Sequence, residues 1–206
     1  NGAGKSTLLN IIMELVKPDK GRVKSGETVV YGYYSQQGMN LPEDKRVIDV
    51  VKDIAEYVET GSGNWIGVSQ FLNHFRFTGA KQHVYVSKLS GGEKKRLYLL
   101  TILLKNPNFL ILDEPTNDLD IVTLNILEEF LEGYQGCMLM VTHDRYFMDR
   151  LVDHVFVLDG TGVVKDIHGN YTDYRSIFDQ SGKKQEIPKQ IEEKVVVKQE
   201  APAKKK

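Results

Sequence analysis

The feature that most limits the fold is a short apolar run, residues 109–112, which ends in the adjacent carboxylates Asp113 and Glu114. Four consecutive apolar residues bounded by polar and turn-forming residues predict a buried strand. Neighbouring residues on an extended chain point to opposite sides. One carboxylate is therefore expected to hold Mg²⁺ and the next to face a phosphate and a water molecule. An acidic pair that only opens a loop is the alternative, and the sequence PTNDLD at residues 115–120 disfavours it.

A glycine-rich segment, LSGGEKKR at residues 89–96, predicts the start of a helix. Its two glycines and the Ser90 hydroxyl stand where backbone N–H groups point outward unpaired, and the helix dipole adds partial positive charge there. Such a helix end attracts anions. The leucine-rich residues 97–104 continue as a buried helix that ends before Pro107. We therefore expect residues 89–93 to contact a phosphate.

The first seven residues, NGAGKST, match the end of a phosphate-binding loop. In the pattern G-x-x-x-x-G-K-[ST], Gly4, Lys5 and Ser6 take the last three positions. Lys5 would supply a point charge to the β- and γ-phosphates, and the Ser6 hydroxyl can ligate Mg²⁺. The first glycine of the pattern would lie two residues before Asn1, so we expect the chain to begin inside the motif of a longer protein. A glycine-rich turn before a helix is the alternative.

Two further polar side chains are predicted at the ends of strands. Gln36 follows a strand predicted at residues 28–35, where its amide could reach a metal ion or an attacking water. His143 follows a strand predicted at residues 137–142 and could hydrogen-bond a γ-phosphate. Taken singly, Gln36 is typical of a surface loop and His143 of a structural cap. The neighbouring phosphate and metal candidates favour a functional role for both.

In residues 40–88 the apolar residues recur at helical spacing, and this pattern predicts a helical insert. An amphipathic helix is predicted from apolar residues that recur on one face, namely Val47, Ile48, Val51, Ile54, Ala55 and Val58. Residues 61–64 break it, and a second helix is predicted to carry core aromatics, among them Trp65, Phe71 and Phe75. Further along, residues 155–158 and 162–167 predict a β-hairpin.

Charge and composition narrow the function classes. The net charge of −1 argues against a strongly basic protein that wraps nucleic acid. Residues 181–206 hold eight Lys and four Glu, a balance of +4 that leaves −5 for residues 1–180, and we interpret this tail as a disordered basic linker. The single cysteine, Cys137, lies in a strand predicted to be buried and excludes an intrachain disulfide. No apolar run approaches the ~20 residues of a membrane span, so we expect a cytoplasmic protein.

Taken together, these motifs resemble those of an ATP-binding cassette (ABC) ATPase. They occur in the order of that family: Walker A at residues 2–7, the Q-loop at Gln36, the signature at residues 89–93, Walker B at residues 109–114, the D-loop at Asp120 and the switch at His143. The resemblance implies an α/β P-loop NTPase fold with a mixed, largely parallel sheet flanked by helices. It also implies an ATPase domain over residues 1–180, with a helical subdomain at about residues 40–105, and a linker at residues 181–206.

Finer features resemble the ABC-F group, especially its Uup-like members. They are residues 114–120, residues 143–147 and the sequence GNYTDY at residues 169–174. The resemblance implies two cassettes in one chain, no membrane domain, and action on ribosomes in translation. The second cassette would be the missing half of the same chain or a second copy of this one. The aromatic residue that stacks on adenine lies upstream of Walker A in this family.

The resemblance also implies the roles of individual residues in ATP binding. Phosphates are bound by the Walker A residues Asn1, Gly2, Gly4, Lys5, Ser6 and Thr7. Mg²⁺ is held by Ser6, Gln36 and Asp113. The signature residues that contact the γ-phosphate of the opposite cassette are Ser90, Gly91, Gly92 and Glu93.

Hydrolysis is implied to depend on Glu114, which activates water, on His143, which holds the γ-phosphate, and on Gln36. We therefore predict a Mg²⁺-dependent ATPase that acts on ribosomes or their RNA. The alternative is the ATP-binding subunit of a membrane ABC transporter, and DNA stays open as an additional ligand.

Overall fold

The computed structural model describes residues 4–35, 39–59, 64–158, 160 and 162–181. Within them the helices are α1 Lys5–Ile12, α2 Val47–Lys52, α3 Val68–His74, α4 Gly91–Leu103, α5 Pro115–Asp118, α6 Ile121–Glu132, α7 Arg145–Leu151 and α8 Tyr171–Ser181. The strands are β1 Tyr31–Tyr34, β2 Tyr57–Glu59, β3 Trp65–Gly67, β4 Phe109–Asp113, β5 Cys137–Val141, β6 His154–Leu158 and β7 Val164–His168. Two short 3₁₀ segments, Gly79–His83 and Val86–Lys88, precede α4.

The centre of the fold is a parallel sheet in the order β1-β4-β5. The three central residues of the middle strand, Leu110, Ile111 and Leu112, are each 0% exposed, as expected for a parallel strand covered on both faces. In register, β1 ends opposite Leu112 and β5 ends opposite Asp113. The carboxyl ends of all three strands therefore meet at one edge. The predicted α/β fold with a parallel sheet flanked by helices is confirmed.

Helix α4 supplies much of the core that covers this sheet. Its leucine-rich stretch is almost completely buried, as the sequence predicts: Leu97, Leu99, Leu100, Ile102 and Leu103. The helix lies against β1 and α2. At Gly32, in β1, the backbone approaches α4 and the loop after it so closely that an added Cβ would lie 2.7 Å from Pro107 Cγ and 3.1 Å from Ile102 Cγ2.

The insert is less helical than its periodicity predicts. Helix α2 ends at Lys52, and β2 then pairs antiparallel with β3. Aromatic and β-branched residues such as Tyr57 favour paired strands over a helix end, which explains the change. Trp65 lies in β3 with 65% of its surface exposed, so its assignment to the core is wrong. Phe71 and Phe75 are buried in α3 and at its end, as expected.

The C-terminal part of the described chain contains the predicted hairpin. Strands β6 and β7 pair antiparallel from His154 opposite His168 to Leu158 opposite Val164. Helix α8 follows and lies against α7 and β7. Cys137 begins β5 and is exposed, so its predicted burial is wrong. Among the described residues, no helix combines the length and the apolar character that crossing a membrane would need.

The crowding around Gly32 leads to a stability prediction. We expect Gly32→Ala to lower the free energy of unfolding by about 1–3 kcal/mol, because its Cβ must displace a proline ring and part of the core. Urea denaturation measures the change. Gly26→Ala is the matched control, since its Cβ would meet only Val29 Cγ2, at an ordinary 3.7 Å. Equal effects of the two substitutions would contradict the predicted crowding.

Candidate functional site

The first group at the carboxyl edge of the sheet is built around Asp113, the last residue of β4. The Tyr33 hydroxyl, from the neighbouring β1, donates a long hydrogen bond of 3.5 Å to Asp113 Oδ2. Burial raises the pKa of the Asp113 carboxyl, and this exceeds the lowering by the Tyr33 hydrogen bond and by the charge of Lys5. Asp113 is thus a partly buried carboxylate whose pKa is influenced by the positive charge of Lys5, in the first turn of α1. Adding positive charge here would favour its ionised form.

Lys5 follows a glycine that shapes the start of α1. Gly4 caps the helix in the left-handed conformation, with φ 89°, and its carbonyl accepts a hydrogen bond of 2.9 Å from the Leu8 amide. Ser6 and Thr7 are exposed in the first helical turn. Their hydroxyls, and the N–H groups of this turn that have no partner within the helix, suit an anion and a hard cation. The other Walker A candidates, Asn1 and Gly2, and Gln36 of the Q-loop lie outside the described residues.

Glu114 leaves the sheet in an unusual backbone conformation. Its φ and ψ are 51° and 50°, in the left-handed region that is costly for a residue with a side chain. Its amide donates a hydrogen bond of 2.8 Å to the Val141 carbonyl at the end of β5. This bond extends the β4–β5 ladder by one step and holds the turn. Asp113 and Glu114 therefore have different partners, the Tyr33 hydroxyl and His143. The left-handed backbone of Glu114, and not the alternation expected of an extended chain, turns them apart.

The partner of Glu114 is His143, in the loop after β5. Glu114 Oε1 lies 3.2 Å from His143 Nε2, and the His143 side chain is 74% exposed while that of Glu114 is 20% exposed. The two loops are joined a second time, since the Thr116 and Thr142 hydroxyls lie 3.1 Å apart. A half-buried carboxylate therefore lies beside an imidazole that is open to a ligand. This pair has the chemistry to accept a proton from water next to a hydrogen-bonded phosphate.

The signature segment forms a capping box at the start of α4. Ser90 Oγ accepts from the Glu93 amide at 3.3 Å, and Glu93 Oε2 accepts from the Ser90 amide at 3.0 Å. Glu93 also pairs with Lys81. The hydrogen bonds from Lys81 and from the Ser90 amide lower the pKa of the Glu93 carboxyl. A Cβ added at Gly91 would meet no atom within 4 Å, so the helix start is open to a ligand.

Arg96 joins the signature helix to the D-loop position. Its Nη2 lies 2.7 Å from Asp120 Oδ2, and its Nε donates at 2.7 Å to Thr123 Oγ1, which is fully buried. Asp120 also caps α6 by accepting from the Thr123 amide at 2.9 Å. Burial would raise the pKa of the Asp120 carboxyl, but the Thr123 amide and Arg96 lower it overall. Asp120 and the signature segment therefore form one group.

The predicted site residues thus fall into separate groups. Asp113 lies at the Tyr33 hydroxyl, Glu114 lies at His143, and Asp120 lies with the signature helix through Arg96. In the described part of the chain, the side-chain hydrogen bonds of Ser90 and Glu93 run to each other and to Lys81. Sequence reasoning gave no role to Tyr33, Arg96 or Thr123. Tyr33 had no signal in the sequence, because its place beside the strand that ends in Asp113 follows from the pairing of β1 with β4.

Comparison with known proteins identifies the family. The family model described as "ABC transporter" matches residues 1–117, more than half of the chain. This chain belongs to the ABC transporter family. The Walker A, Q-loop, signature and Walker B candidates of this ABC protein all lie inside the matched range.

Curated relatives place the ABC protein more finely. It is 44% identical over 206 residues to the uncharacterized ABC transporter ATP-binding protein YfmR of Bacillus subtilis (strain 168), which covers 100% of the chain and 32% of YfmR. It is 38% identical over 201 residues to the ATP-binding protein Uup of Escherichia coli (strain K12), covering 97% of the chain and 32% of Uup. The resemblance to Uup-like ABC-F proteins is confirmed. The chain spans about a third of the length of these relatives.

A third relative and two solved structures complete the comparison. Identity is 38% over 174 residues to the energy-dependent translational throttle protein EttA of Escherichia coli (strain K12), covering 84% of the chain and 31% of EttA. An ATP binding subunit of an ABC transporter aligns with TM-score 0.68 and 23% identity over 88% of the chain and 80% of its own. A chain from the archaeal complex of ribosomal stalk protein aP1 with ribosome recycling factor aABCE1 aligns with TM-score 0.66 and 20% identity. That alignment covers 88% of this chain and 35% of the other. At these identities the structures support the fold alone.

The capping box predicts a pH-dependent contribution to stability. Because the pKa of Glu93 is lowered from its ordinary value of 4.5, ionised Glu93 stabilises the folded state above pH 4.5, and this is lost as pH falls through the folded-state pKa. We expect Glu93→Gln to lower the free energy of unfolding at pH 7 by about 1 kcal/mol. The difference from wild type should shrink below pH 4 in urea titrations. The exposed Glu129→Gln is the control, and a difference that persists unchanged at pH 3.5 would contradict the assignment.

Proposed function

We propose that this chain is one ATP-binding cassette of a Mg²⁺-dependent ATPase that acts on ribosomes. The observation that carries the proposal is the divergence of two adjacent carboxylates at the sheet edge. Asp113 lies at the Tyr33 hydroxyl, where the charge of Lys5 acts to lower its pKa, whereas Glu114 Oε1 lies 3.2 Å from His143 Nε2. A nucleoside triphosphate needs both environments, one for phosphate charge and metal and one for the attacking water.

The phosphates would be bound at the start of α1. Lys5 supplies positive charge, while the exposed Ser6 and Thr7 and the N–H groups of the first turn offer donors. Asn1, Gly2 and Gly4 belong to the same loop by resemblance. The left-handed Gly4 lets the chain enter the helix at the angle this loop needs.

The donors beside this loop fit Mg²⁺. Asp113 offers a carboxylate and Ser6 a hydroxyl, both hard oxygen ligands of the kind this ion prefers, and Gln36 is proposed as a third. The charge of Lys5 already favours the ionised form of Asp113. When bound, the ion would neutralise charge on the β- and γ-phosphates.

Hydrolysis would depend on the Glu114–His143 pair. Glu114 Oε1 accepts a proton from the attacking water, and the exposed His143 hydrogen-bonds the γ-phosphate. The left-handed turn at Glu114 holds the carboxylate toward the β5 loop, so little reorganisation is needed when ATP binds. Positioning and charge neutralisation supply most of the rate enhancement.

A second cassette would complete the site. Ser90, Gly91, Gly92 and Glu93 present an open helix start, and their polar contacts do not run to Lys5 or Asp113 in the described part of the chain. We propose that this helix start and Asp120 meet the γ-phosphate bound by a partner cassette. The partner is the other half of a longer chain or a second copy. Relatives about three times as long as this chain support the first arrangement.

The proposed partner is the ribosome, in the cytoplasm. Support comes from the relative EttA, whose name describes a translational throttle. The ATPase cycle would close and reopen the paired cassettes and so act as a lever on ribosomal RNA or protein. DNA stays open as a further ligand.

The catalytic assignment predicts a separation of binding from turnover. In the intact protein that contains this chain, we expect Glu114→Gln to retain ATP binding and to lower the hydrolysis rate by about 10²–10⁴-fold, the usual contribution of a positioned base. Phosphate release and equilibrium binding of labelled ATP measure the two properties. Glu129→Gln, an exposed carboxylate on α6, is the matched control. Unimpaired ATP turnover by Glu114→Gln would refute the assignment of Glu114 as the general base.

The ribosomal role needs its own experiment. The Glu114→Gln protein should accumulate in the ATP-bound, closed form, so we expect it to cosediment with ribosomes in the presence of ATP and to leave them when ATP is removed. Cosedimentation with membrane vesicles and not with ribosomes would instead favour a transporter subunit. If the Glu114→Gln protein binds ATP and hydrolyses it slowly but cosediments with neither ribosomes nor membrane vesicles, the ribosomal role is refuted and the ATPase assignment stands.

A further inference from the structure

A cluster of metal-binding side chains lies on the hairpin β6–β7, outside the proposed ATP site. His154 and His168 are directly opposite each other in the antiparallel register, and Asp166 lies two residues before His168. Residues that are opposite each other, or two apart on one strand, share a face of the hairpin. One ligand atom from each of these three residues lies within 4.8 Å of the other two.

The chemistry of the three groups selects a class of ion. Two imidazole nitrogens and a carboxylate oxygen suit Zn²⁺ and similar divalent transition metals, whereas Mg²⁺ and Ca²⁺ prefer oxygen alone. Ligand atoms around a tetrahedral Zn²⁺ are about 3.3 Å apart, closer than the 4.8 Å limit of the cluster. All three side chains are exposed, so small rotations can close the gap without disturbing a core.

A fourth residue, Asp153, orients one of the imidazoles. Its Oδ1 lies 3.2 Å from His154 Nδ1. A carboxylate that accepts from one ring nitrogen fixes the tautomer and raises the basicity of the other nitrogen, as the outer partners of metal-bound histidines do. Nε2 of His154 is then the nitrogen available to a metal.

We propose that the hairpin binds one divalent transition-metal ion through His154, His168 and Asp166. Because the site is exposed, the fourth position is left for water or for a ligand from another molecule. The ion would cross-link β6 to β7 at the end of the hairpin from which the chain continues into α8. The competing arrangement is a metal-free pair of rings, whose centroids lie 4.2 Å apart at an interplanar angle of 58°.

The hairpin site can be tested apart from ATP chemistry. The full chain, without a histidine tag and freed of metal by a chelator, is titrated with Zn²⁺ in the absence of nucleotide, in competition with a chromophoric chelator. We expect one ion per chain, and we expect His154→Asn, His168→Asn and Asp166→Asn each to weaken binding about 10–100-fold or more. His74→Asn and His83→Asn, exposed histidines of the insert, are the matched controls and should leave the affinity unchanged.

A second measurement distinguishes the hairpin site from other histidines. Zn²⁺ stabilises a fold that binds it, so it should raise the melting temperature of wild type and not that of the His154→Asn/His168→Asn double variant. Circular dichroism checks that the double variant is folded. Undiminished Zn²⁺ affinity in that variant, absence of stoichiometric binding to wild type, or loss of binding only on His143→Asn would each overturn the proposal. The last result would place the ion beside Glu114.

Discussion

The structure depends on the parallel pairing of β4 with a strand on each side. Since β4 is buried between β1 and β5, their hydrogen-bond registers determine which loops meet at the carboxyl edge. Asp113 comes to lie beside β1, and Glu114 beside the loop after β5. A one-residue slip in either register would change which residues meet at this edge. Because β4 is covered on both faces, a slip that drew Asp113 into the buried middle of the strand would bury its carboxylate without a partner, which is costly.

Backbone strain at Glu114 is the local cost of this arrangement. A left-handed non-glycine residue costs on the order of 1 kcal/mol, and the amide bond to Val141 together with the Thr116–Thr142 contact offsets it. The strain has a chemical use. It turns two consecutive carboxylates toward different partners, Asp113 toward the Tyr33 hydroxyl and Glu114 toward the His143 imidazole. An extended backbone at Glu114 would only point the two side chains to opposite faces of the sheet.

Local patterns in the sequence were enough to predict the central strand, the helix start at the signature segment, the buried α4 and the C-terminal hairpin, because spacing and composition decide those features. The hairpin inside the insert was missed, since its pairing of Tyr57 with Gly67 is a contact between segments that helical periodicity does not register. The contacts of Tyr33 and Arg96 were missed for the same reason. They join residues 80 and 24 positions apart, and only the folded chain brings such residues together.

The link through Arg96 has a mechanical consequence. The Arg96 guanidinium donates to the buried Thr123 hydroxyl of α6 and to Asp120, the residue that caps that helix. These contacts join the start of α4 to the start of α6. If, as proposed, the nucleotide of a partner cassette binds the signature segment and displaces the start of α4, Arg96 would pass that displacement to the start of α6 without involving the central sheet.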